Sequence, residues 1–137
     1  MRVALLAAFL AGPVLAGGLD AKVLEHHGRW ESGYGAKFYN VVGRLQNTSG
    51  HALRWVKVRI DAVDAKGKVV ATTDTYNESA EALTVEGVDP KELLRSGKVK
   101  PLESGAEQRF RASFLADETP PFTDYRVKIT ETPGVEP

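Results

Sequence analysis

Residues Phe38–Gly67, FYNVVGRLQNTSGHALRWVKVRIDAVDAKG, read as two strands, their connection and the turn that follows. From Lys37 to Gln46 the side chains alternate, with Tyr39, Val41, Gly43 and Leu45 on one face and Phe38, Asn40, Val42 and Arg44 on the other. That is the two-residue period of a strand, and the first set is the core face. Asn47, Thr48, Ser49 and Gly50 are turn formers whose short side chains bond to local backbone, so the strand stops there. A second strand is expected over Leu53–Val63, where Val56, Val58, Ile60 and Ala62 alternate with Lys57, Arg59 and Asp61. Leu53 and Trp55 lie on the opposite parity, so either a bulge shifts the register or Trp55 covers an edge of the sheet; the second reading is taken. Asp64–Gly67 then makes a tight turn with Gly at the position that needs a positive φ.

Working outward, Lys68–Tyr76 returns as a strand rich in Val and Thr. Upstream, Lys22–Trp30 alternates weakly, with Val23 and Trp30 as candidate buried residues, before Gly33 and Gly35 break the run. Downstream, residues 78–100 depart from strand pattern. They are acidic at first, and Asp89, Pro90, Lys91 and Glu92 then read as the capped start of a two-turn helix carrying Leu93 and Leu94, stopped by Gly97. A helix that short needs its leucines docked on the body. Leu102–Gly105 is a turn, after which Arg109, Arg111 and Ser113 alternate with core-parity Phe110, Ala112 and Phe114. Pro120 and Pro121 interrupt the chain, and Asp124–Thr130 ends the domain with Tyr125, Val127 and Ile129 inward. The pattern predicts an all-β fold: an antiparallel immunoglobulin-like β-sandwich of about seven strands, residues 17–131, with one short helical insertion at 78–100 and a loose tail at 132–137. A small barrel is the competing architecture.

Across Val41–Ser49 and Leu53–Gly67 the chain resembles the bacterial FxLYD family of small exported immunoglobulin-like domains. That pattern has a strand with Gly and a closing Asn, alternating valines, a five-residue signature ending in Asp, a Gly turn, and later a Leu and Gly turn before a Phe-bearing strand. Here the roles fall to Gly43 and Asn47, Val56 and Val58, Asp64, Gly67, then Leu102, Gly105 and Phe110. Ile60, Ala62 and Val63 stand where the family has Phe, Leu and Tyr, so of those residues Asp64 alone matches. The resemblance implies a sandwich scaffold and brings no catalytic residues.

The chain's 137 residues are one domain's length. Met1–Ala16 reads as a cleaved secretory signal: Arg2 gives the positive start, Val3–Ala11 is uninterrupted apolar, and short residues precede Gly17. The alternative, an uncleaved anchor, needs roughly 20 apolar residues, more than the run supplies. Export to the periplasm or the outside is therefore expected, with no membrane span after cleavage. The chain has no Cys, so neither a disulfide nor a lipidated anchor is available to it, and stability must come from apolar burial. Eighteen basic against 18 acidic residues argue against a nucleic-acid partner.

No group of residues forms a catalytic or metal-binding set, so no enzyme activity, cofactor or metal is expected. His26 and His27 are adjacent and on a strand point to opposite faces, which prevents them from sharing a metal; His51 stands apart. DAVDAKG, with Asp61 and Asp64, lacks the alternating ligands and distant Glu of a calcium loop. Ser49, Ser79, Ser96 and Ser104 read as turn or cap residues, and no GxSxG is present. Glu78, Glu81 and Glu86 read as a solvated acidic loop. Asn47 and Asn77 open glycosylation sequons by letter, which chance explains. Two binding regions stay open. The insertion, with Glu86, Asp89, Lys91 and Arg95, is the expected contact for an envelope or extracellular protein, because loops on a rigid scaffold carry binding. Arg54, Arg59, Arg109 and Arg111 form a basic stripe for an anionic small molecule or glycan if their strands are neighbours in one sheet.

Overall fold

The computed structural model describes residues 20–84, 92, 96–97 and 99–135. The signal segment Met1–Ala16 and most of the helix expected from Asp89 lie outside them, although Glu92 and Ser96 are helical. The described residues form six strands: β1 (Ala21–Gly33), β2 (Ala36–Asn47), β3 (Lys57–Val63), β4 (Val69–Tyr76), β5 (Glu107–Leu115) and β6 (Asp124–Glu131). A helix, α1 (Glu78–Thr84), follows β4, and a 3₁₀ turn, Ala116–Glu118, follows β5. The strands form two three-stranded antiparallel sheets, ordered β1-β2-β5 and β4-β3-β6. The class is all-β, as expected.

The strand count is six among the described residues, where about seven were expected. The stretch with the best claim to another strand makes only isolated bridges: Leu53 exchanges backbone bonds with Leu102 at 2.9 and 2.8 Å and also bridges Gly134. For the same reason β3 begins at Lys57, not Leu53. Arg54 N donates to Pro133 O at 2.7 Å and Val56 N to Asn77 Oδ1 at 2.8 Å, so this segment is held by contacts outside any ladder. Strand parity therefore does not apply to Leu53 and Trp55, both of which are buried.

The interior faces are those the alternation predicts. Val41 and Leu45 from β2, Val58, Ile60 and Ala62 from β3, Phe110 and Phe114 from β5 and Ile129 from β6 belong to one cluster, so both sheets feed a single core. Each fully buried Leu, Ile, Val or Phe contributes on the order of 1.5–3 kcal/mol. Tyr125 and Val127 pack at its margin. Two of the turns read from the sequence, after β2 and after β3, form as expected. Asn47 is fully buried; its Nδ2 donates to His51 O at 2.8 Å and Leu102 O at 2.9 Å, while Oδ1 accepts from Ser49 N and Oγ. Asp64 Oδ1 accepts from Lys66 N and Lys68 N, both at 2.9 Å, and Gly67 has φ +81°.

The first strand is longer than its sequence suggested. β1 and β2 form a ladder from Ala21↔Asn47 to Gly33↔Ala36 with one register shift between Val23 and Glu25. Tyr34 (φ +52°) and Gly35 (φ +75°) are the two-residue turn between them, a pair of left-handed residues that matches the strand twist. Trp30, expected inside, is 44% exposed. On its edge strand it is partly covered by Tyr39 and Phe122, at ring separations of 5.2 and 5.6 Å, and by the Lys37 ammonium 5.1 Å from its ring centroid.

The acidic start of the insertion is helical where a solvated loop was expected. Ala80 N and Glu81 N both donate to Asn77 O at 3.0 and 2.9 Å, and Gln108 Oε1 accepts from Asn77 Nδ2, Ser79 N and Ser79 Oγ. The orphan donors of a first helical turn thus find an acceptor on β5, which is why so short a helix holds. Trp55, outside any strand, packs its ring against Tyr76 of the edge strand β4, and together with Ala80 and Val99 it forms a second small core beneath the insertion. Among the described residues no helix is long and apolar enough to cross a membrane.

Candidate functional site

Burial of Phe110, Ala112 and Phe114 turns Glu107, Arg109, Arg111 and Ser113 outward on β5. The ladders then set outward residues of three strands in rows: Glu25, Arg44 and Arg109; His27, Val42 and Arg111; Arg29, Asn40 and Ser113. All of these but Ser113, together with Glu31, line an open groove of about 780 Å³ on the outer face of the first sheet.

Most charges in this groove are already paired. Arg44 bonds Glu25 at 3.1 Å and also pairs with Glu107. Arg29 bonds Glu31 at 3.0 Å, Asn40 donates to the same carboxylate, and Ser113 Oγ donates to Asn40 Oδ1 at 2.5 Å. The Arg44 hydrogen bond and charge hold Glu25 below the ordinary carboxylate range, and the hydrogen bonds from Asn40 and then Arg29 do the same for Glu31. Both carboxylates are thus acceptors for fixed donors. A general acid needs a carboxyl raised toward neutrality, the opposite perturbation.

Arg109 and Arg111 differ. Both are exposed, and neither guanidinium has an ion-pair partner among the described residues. Arg109's backbone N–H is taken, donating to Glu78 Oε1 at 3.0 Å. Two residues apart on one strand face, the pair is spaced by about 7 Å, with His27 and Asn40 across the groove.

The four arginines read as one stripe are not brought together. Arg59 lies on β3, in the other sheet, where Asp74 holds it at 3.0 Å, and Arg54 is half-buried in the connection before β3. The stripe required two neighbouring strands, and β3 and β5 belong to different sheets. Sequence reading missed Arg29, His27 and Asn40 as companions of Arg109 and Arg111. The alternation marked Asn40 and Arg44 as outward, but nothing local states that β1 and β5 flank β2. The insertion residues Glu86, Asp89, Lys91 and Arg95 lie outside the described residues.

The histidines separate as expected. His26 Nδ1 meets Tyr125 Oη at 2.8 Å, His27 lines the groove, and His51 faces Asp20 at 3.7 Å. Asp61 Oδ1 accepts from Thr72 Oγ1 at 2.8 Å and Asp64 is consumed by its turn. Among the described residues no three His, Asp or Glu side chains are placed to hold a metal ion. No family model, curated protein or solved structure matches the chain.

Proposed function

We propose that the protein is an exported, non-enzymatic immunoglobulin-like β-sandwich module of the FxLYD type, which binds an envelope or extracellular protein by an acidic extended segment laid along the outer face of the first sheet. The sandwich reading is supported by a core drawn from both sheets, and the family reading by the structural work of Gly43, Asn47, Asp64 and Gly67. Export rests on the charged, then apolar, first residues.

The observation that carries the binding reading is that Arg109 and Arg111 have no ion-pair partner among the described residues, on a face where Arg29 and Arg44 are neutralised. Acids at alternate positions of an extended peptide repeat at the same spacing of about 7 Å, and Arg binds carboxylates in a bidentate fashion. The second reading, an anionic small molecule or glycan, draws on the concavity of the same groove.

The test is capture of envelope proteins on the immobilised chain. Proteins retained by the wild type and by Arg59→Ala, whose charge is on the other sheet, are expected to be lost from Arg109→Ala/Arg111→Ala. Equal capture by all three sinks the proposal. Binding of sulfated or carboxylated glycans that requires Arg109 and Arg111, with no protein captured, selects the second reading.

A further inference from the structure

His27 and Arg111 flank Val42 from its two sides, because the β1–β2 ladder sets His27 against Val42 and the β2–β5 ladder sets Val42 against Arg111. All three line the groove. Neighbouring strands lie about 4.8 Å apart, so the backbones of His27 and Arg111 stand about 10 Å from each other with one short apolar side chain between them. The positions next to Val42 on the same face of β2 are taken. Arg44 is held by Glu25 and Glu107, and Asn40 by Glu31 and Ser113. Val42 is therefore the floor of a notch. Neither the His27 ring nor the Arg111 guanidinium has a hydrogen-bond or ion-pair partner among the described residues.

We propose that this notch seats one acidic side chain of the bound segment, with Arg111 on one side and a protonated His27 on the other, so that capture depends on pH. This seat rests on the reading that Arg109 and Arg111 hold an acidic segment, and adds to it a third contact and a proton taken up on binding. The charged groups that face His27 are Glu25 and Arg29 on its own strand, Arg44 on β2, and Arg109 and Arg111 on β5. The arginines stay charged throughout. Glu25 is held low by the Arg44 hydrogen bond and charge and Glu31 by Asn40 and then Arg29, so both stay ionised from about pH 5 upward. Histidine is the side chain that changes charge between about pH 5 and 8. Of the groups lining the groove, His27 alone is therefore the pH-sensitive one. A carboxylate seated between His27 and Arg111 favours the charged ring, so binding takes up a proton and affinity rises as pH falls.

The probe is an acetylated fluorescent peptide of four Glu-Ser repeats, which carries acids at alternate positions. It is titrated against the intact chain by anisotropy between about pH 5.5 and 8, where its own carboxylates stay ionised. The wild type is expected to bind about two- to fivefold more tightly at the lower pH, the worth of an exposed ion pair. His27→Gln is expected to match the wild type at the higher pH and to show no tightening. His27→Lys, charged throughout, is expected to bind at both ends of the range as the wild type does at the lower one. His51→Gln, whose ring lies beside Asp20 and away from the groove, is expected to keep the wild-type profile. Binding that requires Arg109 and Arg111 but has the same pH profile in the wild type and in His27→Gln overturns the inference and leaves the proposed function standing. Loss of the tightening in His51→Gln also overturns it. A wild type that does not bind the peptide anywhere in the range overturns the inference together with the reading it rests on.

Discussion

Gly43 is a point of very close approach within the first sheet. It faces Phe110 across the β2–β5 ladder, and a Cβ built on it would lie 2.5 Å from Phe110 Cζ while also colliding with the Glu25 carbonyl oxygen. The first obstacle is a ring that is 2% exposed, and the second is backbone, so neither can move freely. Gly43→Ala is therefore expected to cost about 1–3 kcal/mol, the usual penalty of overpacking, read as a lower urea midpoint with unchanged slope. An unchanged midpoint would mean that β1 shifts aside without loss, and the close-packing account of this glycine would fail. The alternation in the sequence placed Gly43 on the core face correctly. It could not say that the space is filled by Phe110, because that contact spans 67 positions of the chain.

At the scale of elements, the junction of β4, α1 and β5 turns on Asn77. Its Oδ1 accepts from Val56 N at 2.8 Å, its Nδ2 donates to Gln108 Oε1 at 2.8 Å, and its carbonyl starts the helix, all with no exposure to solvent. Asn77→Ala removes both side-chain bonds and strands the Val56 N–H in a buried place. The expected loss is about 3 kcal/mol, the cost of unsatisfied buried donors, measured by urea titration. A change below about 0.5 kcal/mol, the level of an ordinary surface substitution, would show that water replaces the amide. The helix itself was not legible. Asp89–Glu92 carries the stronger local start signal, whereas α1 begins at Glu78 because its acceptor, Gln108, comes from a strand 29 residues after Ser79. Local capping patterns cannot register an acceptor that only the tertiary fold supplies.

For the molecule as a whole, strand faces could be read from the chain while strand neighbours could not, and the arginines show the difference. Alternation put Arg59, Arg109 and Arg111 outward, as they are, but strand order places β3 and β5 in separate sheets and so divides the stripe. The same reasoning changes the standing of the insertion. Read locally, residues 78–100 are an appendage whose removal leaves the domain intact. In the fold, Ala80 (0% exposed) and Val99 (8%) cover Trp55, which is itself only 4% exposed. Deleting Ala80–Ser96 is expected to uncover Trp55 and lower stability by roughly 2 kcal/mol, about the worth of one large buried apolar side chain. In a Trp30→Phe background, which removes the other indole, the deletion should shift tryptophan emission to longer wavelength and lower the urea midpoint; neither change occurring would restore the insertion to an independent appendage. Loss of partner capture on deletion would then be ambiguous between a lost contact and a loosened fold. Arg109 and Arg111 avoid that ambiguity, because their exposed guanidiniums are not packed in either core.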